Sequence, residues 1–302
     1  MAPLLHAAAS VSDPADSFAD FLTAWNLASP DGVVLAVLLG AYLAGLARLR
    51  ARGSRSGAPS IPAWRTLLTL LGFAALGFAL LGPPDVFAED EFFLHMMQHL
   101  LLTLAAAPLL LAANPLAAYM WCLPAGARAA VARSLRPRGR VHRVLIRFTR
   151  PKATLPIYIA TIYAWHLPAA YEAAVHNPAL HYLEHLTMFV TATLFWWPLA
   201  GPAPVRSRLA YPLRILYLLV ALTPSAALGA IITLAGHVLY GHYAATPAHW
   251  GLTAQEDQNI GGLIMWVPGN LVFVGVATVI FFKWYDYEEA KPRRPARARK
   301  RF

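Results

Sequence analysis

The sequence predicts an all-α integral membrane protein, a bundle of seven transmembrane helices with the N-terminus outside and the C-terminus cytoplasmic. Three observations predict it. Of 302 residues, 58% are hydrophobic and only 13% charged, where a soluble domain carries about a quarter charged residues. The apolar residues form long runs rather than period-two alternation, which favours helices over barrel strands. The basic residues are segregated: segments 48–65, 128–152, 206–214 and 283–302 hold 5, 9, 3 and 8 Lys/Arg, all 25 in the chain.

Taken in order, the opening stretch MAPLLHAAASVSDPADSF has no basic region and only a weak apolar run, so it is not read as a signal peptide. Spans are expected at 31–48, 64–82, 92–113, 153–170, 181–200, 212–236 and 260–283. The segment 121–148 is too charged to span and reads as interfacial helix on the cytoplasmic side. Pro168 marks the exit of the fourth span. One transmembrane domain over 1–288 is then followed by a basic cytoplasmic tail, 289–302. By the positive-inside rule the four basic segments face the cytoplasm. The net charge of +10 is thereby a topology signal, and no nucleic-acid partner is implied. The only cysteine, Cys122, has no partner for a disulfide or a thiolate metal cluster.

This topology sorts the histidines. His6, His95, His99, His166, His176, His181, His185, His237, His242 and His249 fall on the outer side, and only His142 lies inside. Two strings stand out. Leu94–Leu100 reads LHMMQHL and Leu180–Leu186 reads LHYLEHL, each at the mouth of a span. The shared i, i+4 spacing puts both imidazoles of a pair on one helix face, about 6 Å apart along the axis. Two helices that each present such a pair at one depth can build a metal or cofactor site in a bundle. Met188 lies on the imidazole face one turn below His185, and imidazole with thioether suits copper. Gln98 and Glu184 occupy matching places and are expected to orient imidazoles from outside the ligand set. Met96 and Met97 are read as packing or lipid-facing residues.

Further outer-side residues add to the set. His166 ends the fourth span and offers a fifth imidazole, although a histidine at a helix end is also explained by solvation. The 237–259 loop reads as a lid or docking surface. Asp257 is a ligand or the N-cap of its own helix. Gly261 and Gly262 permit close helix approach. Trp121, Trp165, Trp196, Trp197, Trp250, Trp266 and Trp284 read as interfacial belt residues.

Three functions compete. His181-x-x-Glu184-His185 matches the H-x-x-E-H pattern of zinc metalloproteases, but the first copy has Gln98 in place of the general base. A b-type haem with axial histidines from two helices is the second reading, although imidazoles one turn apart are too close for two stacked haems. The third is metal handling without turnover. Here the runs FFLHMMQHLLLTLAAAPLLLAANP, YAWHLPAAYEAAVHNPALHYLEHLTMFVTATLFWWPL and DQNIGGLIMWVPG resemble the signature blocks of the CtaG-type cytochrome c oxidase assembly factors. That resemblance implies a multi-pass protein of the bacterial cytoplasmic membrane that helps copper reach a haem-copper oxidase subunit. It carries the family's histidines onto His95, His99, His166, His181 and His185, and its Asp-Gln pair onto Asp257 and Gln258. The expected cargo is copper, with zinc or haem as alternatives, and a homo-oligomer is an open possibility.

Overall fold

The computed structural model describes residues 18–56, 61–137, 139–207, 209–245 and 251–291. The basic tail from 292 onward, His6, His249 and Trp250 lie outside them. Every regular element among the described residues is helical. A short α1 (Phe18–Thr23) precedes the long apolar α2 (Pro30–Ser56) and α3 (Ala63–Leu81), and the turn α4 (Pro83–Val86) follows at once. The third apolar run holds α5 (Phe92–Leu100), a π-helical segment (Leu101–Ala106) and α6 (Ala107–Ala113). Next come α7 (Leu116–Cys122), α8 (Ala125–Leu135) and α9 (Arg140–Phe148), then α10 (Pro151–Trp165), α11 (Pro168–Val175) and α12 (Pro178–Ala200). The chain continues through α13 (Tyr211–Leu234), α14 (Gly241–Ala245) and α15 (Ala254–Glu289).

Five stretches are long and apolar enough to cross a membrane: Pro30–Gly53, Ala63–Val86, Phe92–Ala113, Tyr211–Leu234 and Ala254–Glu289. The two remaining expected spans are also helical, as α10 and α12, but differ in kind. At 15 residues α10 is short, because Pro168 holds Leu167 in an extended conformation and stops the helix before 170. The 23-residue α12 carries His181, Glu184 and His185 in its first turns, which dilutes its apolar character. The seventh helix starts earlier than expected, since Thr253 and Glu256 form a reciprocal capping box at its N-terminus.

Glycines set the closest approaches. A Cβ on Gly261 would collide with the Phe92 ring, and one on Gly262 would lie 2.6 Å from the Thr233 backbone nitrogen. Thus α15 packs tightly on both α5 and α13, as the Gly261-Gly262 pair suggested.

The π-helical segment has a local cause. Pro108 has no N–H, and its ring would clash with the carbonyl of Leu104 in an unbroken α-helix. The Ala107 N–H bonds Leu102 O instead of Thr103 O, one residue further back. The π register would assign Thr103 O to residue 108, which is proline. Trp196 of α12 takes that freed carbonyl, its Nε1 donating at 2.8 Å. Trp196 is 2% exposed, so it is a core residue and not the belt residue expected. It ties together the two helices that carry the histidine pairs.

Candidate metal centre

The two pairs meet. His95 and His99 project from α5 and His181 and His185 from α12, with ring centroids 5.2 Å apart for His95–His181 and 5.5 Å for His99–His185. The Nε2 atoms of His95 and His99 are 3.1 Å apart. Two nitrogens each about 2.0 Å from one ion at a tetrahedral angle stand roughly 3.3 Å apart. Two groups bring their ligand atoms close enough to hold one ion, one atom from each residue lying within 4.8 Å of the others: His95–His99–His185 and His95–His181–Glu184. His95 is common to both.

Glu184 belongs inside this cluster rather than behind it. Its carboxylate oxygens lie 3.9 Å from His95 Nε2 and 3.6 Å from His99 Nε2. The side chain is fully buried, and neither oxygen has a hydrogen-bond partner. His99 Nδ1, His166 Nε2, His181 Nε2 and His185 Nε2 are likewise buried without partners. Leaving so many polar atoms unpaired is costly. A cation held among them would satisfy nitrogen lone pairs and carboxylate together, so the donor set fits a metal ion.

Hydrogen bonding at the far side of two rings fixes which nitrogen is bare. His166 Nδ1 faces the Ile162 carbonyl at 2.6 Å and must donate, leaving Nε2 as a lone pair. Its ring lies 6.0 Å from His99. His95 requires a proton count. Tyr243 Oη donates to Ala88 O at 2.8 Å, Tyr171 Oη lies 2.8 Å from Tyr243 Oη, and His95 Nδ1 lies 2.9 Å from Tyr171 Oη and 3.2 Å from Tyr243 Oη. Burial holds both tyrosines well above the usual tyrosine range, so each keeps its one proton. Tyr243 gives its proton to Ala88, so only Tyr171 can supply the proton between the two phenols. His95 must then donate from Nδ1 to Tyr171, and its Nε2 is bare toward His99 and Glu184. The second tyrosine comes from α14, so the segment between α13 and α15 reaches the site. Phe92 and Tyr240 stack beneath it with centroids 4.9 Å apart.

Three expected site residues sit elsewhere. The Asp257 carboxylate accepts the backbone N–H groups of Phe92 and Phe93 at 2.7 and 2.8 Å. It is not the cap of its own helix, which is Thr253; it caps α5, whose N-cap residue Glu91 makes no side-chain capping bond. Gln98 donates to Asp85 at 2.9 Å and braces α4, so it orients no imidazole. Gln258 accepts the Leu239 N–H at 2.6 Å and donates to His237 O at 3.1 Å, pinning the loop after α13. That loop is also tied by the His242 N–H to Glu172 at 3.0 Å. Met188 is buried, at 1% exposure. The tyrosines were missed because no periodicity marks a phenol that approaches from another element.

The fold and site define a multi-pass membrane protein with a buried imidazole–carboxylate cluster of metal-binding character. The family model described as cytochrome c oxidase caa3 assembly factor matches residues 40–287, and the chain belongs to that family. It is similar to uncharacterized proteins of Mycobacterium tuberculosis and Mycobacterium bovis, each 27% identical over 277 residues, covering 89% of this chain and 40% of the relative. A Mycobacterium leprae protein is 24% identical over 272 residues, covering 87% of this chain and 40% of its own length. The chain thus spans about two-fifths of the length of these relatives. No solved structure matches it.

Proposed function

We propose that this protein receives copper at the His95/His99/His181/His185 cluster on the outer face of the bacterial cytoplasmic membrane and passes it to a haem-copper oxidase subunit during assembly. The observation that carries this reading is the buried set of unpartnered imidazole nitrogens around the unpartnered Glu184, in a chain of an oxidase assembly family. Seven spans in one domain over 1–288, with the N-terminus outside, place the cluster at the outer end. The segregation of all 25 Lys/Arg supports that orientation.

Copper is the cargo, and the residues act on it in order. His181 is only part-buried, whereas His95, His99 and His185 are buried, so His181 is the entry ligand. His95, with its lone pair fixed by Tyr171, is the shared ligand that hands the ion inward. Glu184 balances the charge. His166 and the thioether of Met188 are auxiliary donors, and the set holds no thiolate, so imidazole and thioether softness select copper over harder ions. Release follows ligand exchange toward the partner at the outer loop. The H-x-x-E-H string favours a second, hydrolytic reading, but Glu184 stands among the imidazoles of both pairs, as a charge-balancing group would.

The test is elemental analysis and absorption spectroscopy of protein purified in mild detergent. Copper bound stoichiometrically, and lost in His95→Ala, is expected. A Soret band would establish haem, and zinc retained against excess copper would establish the hydrolytic reading; either overturns this one.

A further inference from the structure

A second site lies at the other end of the molecule, independent of the histidine cluster. A cavity of about 960 Å³ opens between α9, the start of α10 and the end of α12. His142, Thr149, Arg150, Trp197, Arg206 and Ser207 are among its lining residues, and among the described residues no carboxylate lines it. Trp197 stands twelve residues beyond His185 on α12, about 18 Å along the axis. Arg150 and Arg206 stand exposed at the cavity mouth, and neither guanidinium has a hydrogen-bond or ion-pair partner among the described residues. Arg214 nearby shows the contrast, since its guanidinium is occupied by the carbonyls of Leu209 and Leu199 at 2.9 and 3.2 Å. His142 Nδ1 is buried and unpartnered. The wall is set: Gly201 turns the chain at φ +56°, and Trp197 Nε1 donates to Val205 O at 2.9 Å.

Two unpaired guanidiniums and a buried imidazole nitrogen, without an acid, call for an anion. Its source follows from α9. That helix exposes Val141, Val144 and Phe148 beside Arg140, Arg143 and Arg147. Such a helix lies in the plane of an anionic membrane surface. The cavity therefore opens where headgroups stand, with apolar side chains alongside for acyl chains.

We propose that this cavity binds the phosphodiester of an anionic phospholipid, with Arg150 and Arg206 on the phosphate oxygens and His142 and Ser207 donating from the wall. The role fits a chain whose basic end must be seated against the membrane.

Native mass spectrometry of the full-length protein in detergent, titrated with phosphatidylglycerol, phosphatidylethanolamine or inorganic phosphate, tests it. Phosphatidylglycerol should bind at one site at least tenfold more tightly than phosphatidylethanolamine. Arg150→Gln with Arg206→Gln should weaken it about tenfold or more, as expected for lost charge-assisted hydrogen bonds. Arg140→Gln with Arg143→Gln removes the same charge outside the cavity and should change affinity less than threefold. Ser207→Trp narrows the cavity without altering charge and should also weaken lipid binding. Equal binding of the two lipids by the unaltered protein would overturn the proposal, as would equal losses in both arginine pairs. So would inorganic phosphate binding as tightly as the lipid with the same arginine dependence.

Discussion

Asp257 Oδ2 accepts the backbone N–H of Phe92 at 2.7 Å, joining the first turn of α15 to the first turn of α5, which carries His95. The carboxylate thus places one histidine pair from a point 165 residues away. Asp257→Ala leaves the first N–H groups of α5 without their acceptor and should cost about 1–2 kcal/mol. Asp257→Asn keeps an acceptor and should cost less. Thermal unfolding in detergent, read beside metal content, checks this; a variant with full stability and no metal would restore Asp257 as a ligand.

The two histidine pairs are expected to behave as one site. His95→Ala and His185→Ala should each lose most bound metal, and the double change should add little. Additive losses would mean two separate sites. Protons compete for the same lone pairs, so occupancy should be full at neutral pH and fall as the medium is made acidic. Equilibrium dialysis from neutral to acidic pH reads both effects.

Tyr171→Phe removes the nearer acceptor of the His95 Nδ1 proton and leaves the Tyr243 hydroxyl 3.2 Å away, its own proton given to Ala88 O. The tautomer is then held by one longer bond. Copper affinity should fall about 10–100-fold, the usual cost of losing a group that orients a ligand, while stoichiometry at saturating copper is unchanged. Competition with a chelator of known affinity measures it, and an unchanged affinity would discard the proton count.

Glu184→Gln separates cargo handling from hydrolysis. An amide still accepts a hydrogen bond but neither balances charge nor activates water. Oxidase activity in membranes from complemented deletion cells should be partly retained and partly rescued by added copper. His181→Ala with His185→Ala should abolish it. Complete, copper-insensitive loss in Glu184→Gln with metal still bound would favour hydrolysis.

The orientation has its own test. A reporter fused after residue 302 should be active only in the cytoplasm, and one placed in the 237–259 loop only outside. An external C-terminus would place the imidazoles on the wrong face for outer copper.

The helices and both histidine pairs were legible because each depends on local order: apolar run length and an i, i+4 repeat. Glu184 was legible as a site residue but was placed behind the ligands, since a string cannot tell which of two adjacent faces meets a partner helix. The bonding partners of Asp257, Gln98 and Gln258 were not legible for a related reason. Each makes a bond whose other end lies on a different element, at Phe92, Asp85 and Leu239. Sequence position carries no trace of that. The π segment did have a signal, Pro108 within an apolar run, and its consequence at Thr103 followed from counting N–H donors.

That freed carbonyl bears on the bilayer around the protein. Membranes differ in thickness, and helices answer by tilting or by sliding past their neighbours. Sliding α5 along α12 by even one residue, about 1.5 Å, would tear Trp196 from Thr103 O. A thinner or thicker membrane is therefore expected to be met first by tilt of the histidine-bearing pair as a unit, with the spacing between its imidazoles kept.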